Sequence, residues 1–188
     1  MVNVNFDKIV GQKILLRKLN LSDADSITKH INDKSVARWT LSVPYPYRKE
    51  YAVDFLRSRK TGLKNKTNYT FGIAEVADNS IIGCIDLDDI DWEDKKAEIG
   101  YWISGKFRRR GYMTEAVNLV LDFGFKKLGL HKIYARVFKS NYASMKVLER
   151  NRFKFEGTLR HEAYKNGRWI DELYYGLLKS EFRKLPKR

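Results

Sequence analysis

Long apolar runs are missing from this sequence: no window approaches the roughly 18 uninterrupted apolar residues of a membrane span. The opening MVNVNFDKIVGQK lacks the charged-then-apolar order of a secretory signal, and a cytoplasmic location is the expectation. Cysteine is reduced to Cys84, inside the apolar stretch SIIGCIDL, which excludes an internal disulfide framework and reads as a buried small hydrophobe in a reducing compartment. His30, His131 and His161 lie far apart without metal-ligand spacing, so no metal site is expected. Helix-turn-helix, RNP and zinc-finger patterns are absent. So are the Gly-Lys-Ser/Thr of a P-loop and the G-x-G-x-x-G of a dinucleotide fold. No repeat, linker or low-complexity stretch divides the chain, and residues 1–188 read as one domain with a core of about 13–180.

What is abundant is positive charge, +14 over 188 residues. Such an excess attracts polyanions: RNA, a ribosome surface or a polyphosphorylated cofactor. Charge alone does not choose among them.

Residues 13–19 alternate as a first strand, and Ser22 with Asp25 reads as an approximate cap for a helix to about Asn32. Pro44 and Pro46 make 39–47 a loop. A charged amphipathic helix over 49–63 follows, then paired strands 69–76 and 81–89 around Asp78-Asn79-Ser80, and a strand over 98–103. The period then changes: over 114–128, Ala116, Val117, Val120, Leu121, Gly124, Phe125 and Leu128 share one helical face. A strand at 132–138, a helix at 142–150 and a hairpin of 153–161 with 170–178 around Lys165-Asn166-Gly167 complete the order. The basic tail from 179 is expected to fray. These elements make a mixed α/β sheet with helices on its faces.

The most informative segment is AEIGYWISGKFRRRGYMTEA, residues 97–116. A strand ends near Ile103, a loop with Gly105 and Gly111 follows, and a helix begins around Thr114. A helix start offers unpaired N–H groups and the positive end of the dipole to a phosphate. Lys106, Arg108, Arg109 and Arg110 add charge there, and arginine can grip a phosphate with two parallel hydrogen bonds. A solvated basic turn and a nucleic-acid patch share this composition, but the sum favours a pyrophosphate.

With these residues in view, the chain resembles the GNAT superfamily of N-acetyltransferases, and within it the RimJ/RimL-type ribosomal-protein N-terminal acetyltransferases. The pieces that carry the resemblance are LLRKL, IIGCIDL, AEIGYWI, RRGYMTEA, FGFKKLGLHKIYARV, NYASMKVLERNRF, FEGTLR and NGRWIDELYYGLL, in this order over roughly residues 13–180. The resemblance implies a mixed, mostly antiparallel sheet splayed at its centre, with helices on both faces and acetyl-CoA inserted in the splay. Carried over by position, Tyr101, Trp102 and Ile103 would bond the pantetheine through their backbone. Arg108, Arg109, Arg110, Gly111, Tyr112, Met113 and Thr114 would wrap the pyrophosphate, and Asn141, Ser144 and Lys146 would flank the cofactor's far side. Two positions depart from the family pattern. Arg109 replaces the first loop glycine, at a cost of about 1 kcal/mol where φ is positive. Arg152 replaces the glycine after the last helix, leaving that end without its glycine cap.

Acetylating an amine needs a neutral amine, a polarised thioester carbonyl and a proton for the departing thiolate. The N–H of Ile103, where strands diverge, is the candidate oxyanion donor. The tyrosine that many relatives use as acid falls at Leu148, and Ser144 matches the serine of some RimL-type relatives; alternatively, Ser144 only caps its helix. Glu98 and Glu162 are the candidate bases. Each reads equally as a solvent-facing strand residue, and Glu162 sits one position off its family match, so its side chain faces the wrong way unless a bulge intervenes. Glu115 reads as a first-turn partner of the helix dipole.

The acceptor is open. An α-amine with a pKa near 7.8 is roughly 10–15% neutral at pH 7, against about 0.04% for lysine, a difference worth about 3.5 kcal/mol. A weak base therefore leans toward protein N-termini, such as those of ribosomal proteins, with ribosome association through the basic surface. The alternative is a spermidine-type polyamine acetyltransferase: Asp86, Asp88, Asp89, Asp91, Glu93 and Asp94 offer an acidic wall to a cation, and the family's polyamine enzymes also tend to carry a pair like His161-Glu162. Trp39, Tyr45 and Tyr47 either wall the acceptor site or pack beneath their loop. A catalytically silent CoA-binding or ribosome-associated module is the third reading, and it would have no reason to keep Asn141, Ser144 and a carboxylate. Either a monomer or a homodimer fits.

Overall fold

Two-residue alternation in the apolar stretches produces one eight-stranded sheet. The computed structural model describes residues 7–76 and 78–183. Its strands are β1 (Lys8–Val10), β2 (Ile14–Lys18), β3 (Tyr69–Glu75), β4 (Ile81–Asp91), β5 (Lys96–Ile103), β6 (Lys132–Phe138), β7 (Lys154–Lys165) and β8 (Arg168–Leu178). The helices are α1 (Ala24–Ile31), α2 (Lys34–Ala37), α3 (Lys49–Asn65), α4 (Tyr112–Lys126) and α5 (Tyr142–Arg150). The strands run β1-β2-β3-β4-β5-β6-β8-β7, all neighbours antiparallel except β5 and β6. The mixed, mostly antiparallel sheet of the sequence reading is correct.

Alternation divides the side chains between two cores. Leu87, Ile99, Ile133 and Leu177 meet Ala116, Val117, Val120 and Leu121 of α4 on one face. Cys84 and Ile81 meet Ile27 of α1 and Ala52 and Leu56 of α3 on the other. Helices thus cover both faces. Cys84 is 3% exposed, and burial pushes its thiol pKa well up, the behaviour of a small hydrophobe.

Several boundaries differ from the sequence reading. The cap before α1 is Asn20 rather than Ser22: its side chain accepts from Ser22 N–H while Asp23 accepts from Asn20 N–H, closing a capping box around a 3₁₀ turn. Strand β1 and helix α2 were unanticipated. Three residues carry too little pattern to read, and β1 exists by pairing with β2. Helix α2 exists because Asp33 caps it through Ser35 N–H, while the same carboxylate accepts from Gly105 N–H at 3.1 Å. The tail does not fray at 179: Phe182 packs 5.3 Å from Phe125, and Glu181 accepts from Leu178 N–H. Residues 184–188 of the expected frayed tail lie outside the described residues.

Candidate active site

The central strands fail to stay together. Strand β5 pairs with β4 from Asp88↔Glu98 to Gly83↔Ile103, and β6 pairs with β8 from Lys132↔Leu178 to Phe138↔Glu172. Between them, the parallel ladder covers only Lys96↔Lys132, Ala97↔Ile133 and Glu98↔Tyr134. Beyond it the strands part around a cleft of about 980 Å³. Ser104 N–H donates to Ile82 O at 3.0 Å, on the β4 side. Successive backbone groups point to opposite edges, so beyond the ladder the N–H groups of Tyr101 and Ile103 face the cleft. Tyr101, Trp102 and Ile103 all line it, and the Arg108 guanidinium approaches Ile103 O at 3.4 Å.

The cleft continues to the start of α4. Gly111 at φ 83° is the N-cap, and Glu115 N–H bonds Gly111 O, leaving the N–H groups of Tyr112, Met113 and Thr114 at the open helix end. Arg108, Arg109, Gly111, Tyr112, Met113 and Thr114 line this end. Arg110 does not: its guanidinium stacks over Phe107 at 5.5 Å. Lys13, overlooked in the sequence, supplies a further cation, with Nζ 3.4 Å from Arg110 O. Its approach is set by Glu115, which accepts from the N–H groups of Gln12 and Lys13 and so ties the β1–β2 turn to the helix start. Arg109 holds φ 62° and Arg152 φ 68°, the left-handed conformation that the glycine pattern implied at both places. Free donors along an extended strand, ending at an open helix terminus with cations, fit an amide-bearing arm that ends in a pyrophosphate, as acetyl-CoA does.

Across the cleft, Asn141 caps α5 by accepting from Ser144 N–H at 3.3 Å. Capping therefore belongs to Asn141. The Ser144 hydroxyl instead lies 2.8 Å from the Tyr101 hydroxyl. Burial raises the Tyr101 pKa, so the phenol keeps its proton and can donate to Ser144, orienting the serine hydroxyl. Lys146 also lines the cleft.

The two candidate bases meet at one cation. Glu98 accepts from Arg136 Nε at 3.1 Å and from Nη2 at 2.7 Å, and Glu162 lies 3.7 Å from Arg136 Nη1. A register shift between Leu159 and Ala163, with His161 at φ 53°, is the bulge that turns Glu162 to this face. Beside them stands a carboxylate the sequence reading overlooked. Glu172 of β8 lines the cleft, is 4% exposed, and its carboxylate makes no hydrogen bond or ion pair among the described residues. Burial raises its pKa, with Glu98 and Glu162 adding repulsion against the attraction of Arg136. Arg136, a lone charge inside IYARVF, was the available signal for a polar cluster on this face.

The six-acid stretch lies outside the cleft. None of its members lines the cleft; Asp86 and Asp88 meet Arg59 at 3.7 and 2.5 Å, and Asp91 and Asp94 meet Lys96. The aromatic loop divides: Trp39 lines the cleft, whereas Tyr47 is 7% exposed in the second core. Among the described residues, no cluster of His, Cys, Asp and Glu is arranged to hold a metal, and no helix is long and apolar enough to cross a membrane.

Comparison with known proteins agrees with this geometry. The acetyltransferase (GNAT) domain family matches residues 13–154. YdaF of Bacillus subtilis strain 168, provisionally named a ribosomal N-acetyltransferase, is 31% identical over 92% of this chain and 95% of its own. The spermidine N(1)-acetyltransferase of Escherichia coli K12 is 28% identical over 85% of this chain and 82% of its own. In fold, the ribosomal-protein-S5-alanine acetyltransferase of Vibrio fischeri superimposes with a TM-score of 0.84 at 24% identity, over 94% of this chain and 98% of that one. The chain belongs to the GNAT acetyltransferases, and its reaction is transfer of an acetyl group from acetyl-CoA to a primary amine.

Proposed function

We propose that the acceptor is the N-terminal α-amine of a protein, with ribosomal proteins the first class to test. The observation that carries this reading is the placement of charge. Four of the six acids that would have received a polyamine are paired with Arg59 and Lys96, and none of the six lines the cleft. The relative YdaF carries a ribosomal name, which agrees with the reading.

Acetyl-CoA supplies the acetyl thioester. In the proposed mechanism, Glu172 takes one proton from the incoming ammonium, and the neutral amine attacks the thioester carbon. Ile103 N–H holds the developing oxyanion. As the carbon–sulfur bond breaks, Ser144 gives its proton to the leaving sulfur and receives the second amine proton, with Tyr101 holding its hydroxyl in line. The net proton resides on Glu172 and passes to water. Glu98 and Glu162 hold Arg136 in place beside Glu172 and serve as positioning residues.

The test is thiol release from acetyl-CoA with separate pools of N-terminal peptides, polyamines and aminoglycosides. Turnover confined to the peptide pool supports the reading. Turnover confined to polyamines overturns it, and binding of acetyl-CoA with silence in every pool would return the chain to a non-catalytic module.

A further inference from the structure

Beside the cleft lies a second groove that the chemistry above does not use. It holds about 1400 Å³ between α2 with its following loop, the β6–α5 turn and the tip of the β7–β8 hairpin. Trp39, Phe138 and Tyr142 line both concavities, so the groove adjoins the cleft. The tip is held over the loop by Lys165, whose ammonium bonds the carbonyls of Ala37 and Thr40.

Two properties define what the groove can hold. Its aromatic rings are open to solvent, with Tyr142 71% and Trp169 60% exposed, a composition that marks an interaction surface. Its charge is one-sided: Lys34, Arg38, Lys139, Lys165 and Arg168 stand against the single carboxylate of Asp171, itself accepting from His161 N–H and facing Lys139 at 3.5 Å. A polycation is repelled there. An anionic chain gains both charge pairing and aromatic cover.

We infer that this groove holds the segment of the acceptor polypeptide that follows the acetylated N-terminus, and that this segment is acidic. The inference rests on the N-terminal reading above and narrows it from any N-terminus to one followed by Asp or Glu residues.

The test uses the full chain, acetyl-CoA and three peptides with identical first residues, followed by an acidic, a neutral or a basic stretch. The acidic peptide is expected to exceed the basic one in kcat/KM by at least about tenfold, chiefly through KM. The gap should shrink between about 50 and about 500 mM salt. Arg38→Glu combined with Arg168→Glu, both exposed positions on opposite walls, should reverse or close the gap, with circular dichroism verifying the fold. Equal kcat/KM for the acidic and basic peptides, or a preference untouched by the charge reversal, overturns the groove assignment while leaving the N-terminal reading intact. Competition by a single-stranded RNA oligonucleotide, but not by a blocked acidic peptide, would overturn it in favour of nucleic acid. Acetylation of spermidine and of none of the peptides would overturn the N-terminal reading itself.

Discussion

Ser144 and Glu172 face the same cleft for different reasons, and single substitutions separate their roles. The Ser144 hydroxyl is oriented by Tyr101, while the helix cap is supplied by Asn141. Ser144→Ala should therefore lower kcat about a hundredfold while changing acetyl-CoA affinity little; unchanged turnover would remove the serine from the mechanism. Glu172 is raised in pKa by burial, so its ionised, proton-accepting form appears only above the ordinary carboxylate range. Activity should rise with pH through that raised value, and Glu172→Gln should lose this limb along with about a hundredfold in kcat at pH 7. A pH–rate profile of both proteins decides it, since a purely structural glutamate would leave the shape unchanged. Asp86 gives a separate signal. Burial raises its pKa to about 7, outweighing the attraction of Arg59 at 3.7 Å, with Asp88 and Glu98 adding repulsion. Between about pH 4 and 7 the folded state holds a proton that the unfolded chain has released. Stability therefore falls as pH rises through this window, by an amount on the order of 4 kcal/mol, and levels off above it. Asp86→Asn should flatten that slope in urea titrations repeated across pH.

At the scale of elements, legibility followed length and periodicity. Helix α4 was readable because Ala116, Val117, Val120 and Leu121 repeat on one face, and the β7–β8 turn because Asn166-Gly167 suits two positive φ values, 51° and 77°. The short β1 and α2 were not, since three or four residues carry too little periodicity to read, and each is held by its neighbour, β1 by β2 and α2 by its Asp33 cap. The left-handed residues belong to this scale. Arg152 follows α5 at φ 68°, where glycine pays no Cβ penalty. Arg152→Gly should add about 1 kcal/mol, raising Tm by about 2–4 °C; a lower Tm would mean that the arginine side chain supplies more than its backbone costs.

Over the whole molecule, an excess of +14 sets a field that favours anions. Affinity for acetyl-CoA should weaken several-fold as salt rises from about 50 to about 500 mM, measurable by calorimetry, because much of that field lies in exposed cations. The sequence by itself determined the family, the order of the main elements and the basic turn before α4, since each is written in local patterns: strand and helix periods, the basic loop and Gly111. Only tertiary structure decided how the carboxylates pair. Glu98 and Glu162 become partners of Arg136, the buried Glu172 carboxylate has no hydrogen bond or ion pair among the described residues, and Asp86, Asp88, Asp91 and Asp94 turn to Arg59 and Lys96. Pairing and burial depend on which strands lie side by side, and no local pattern records that.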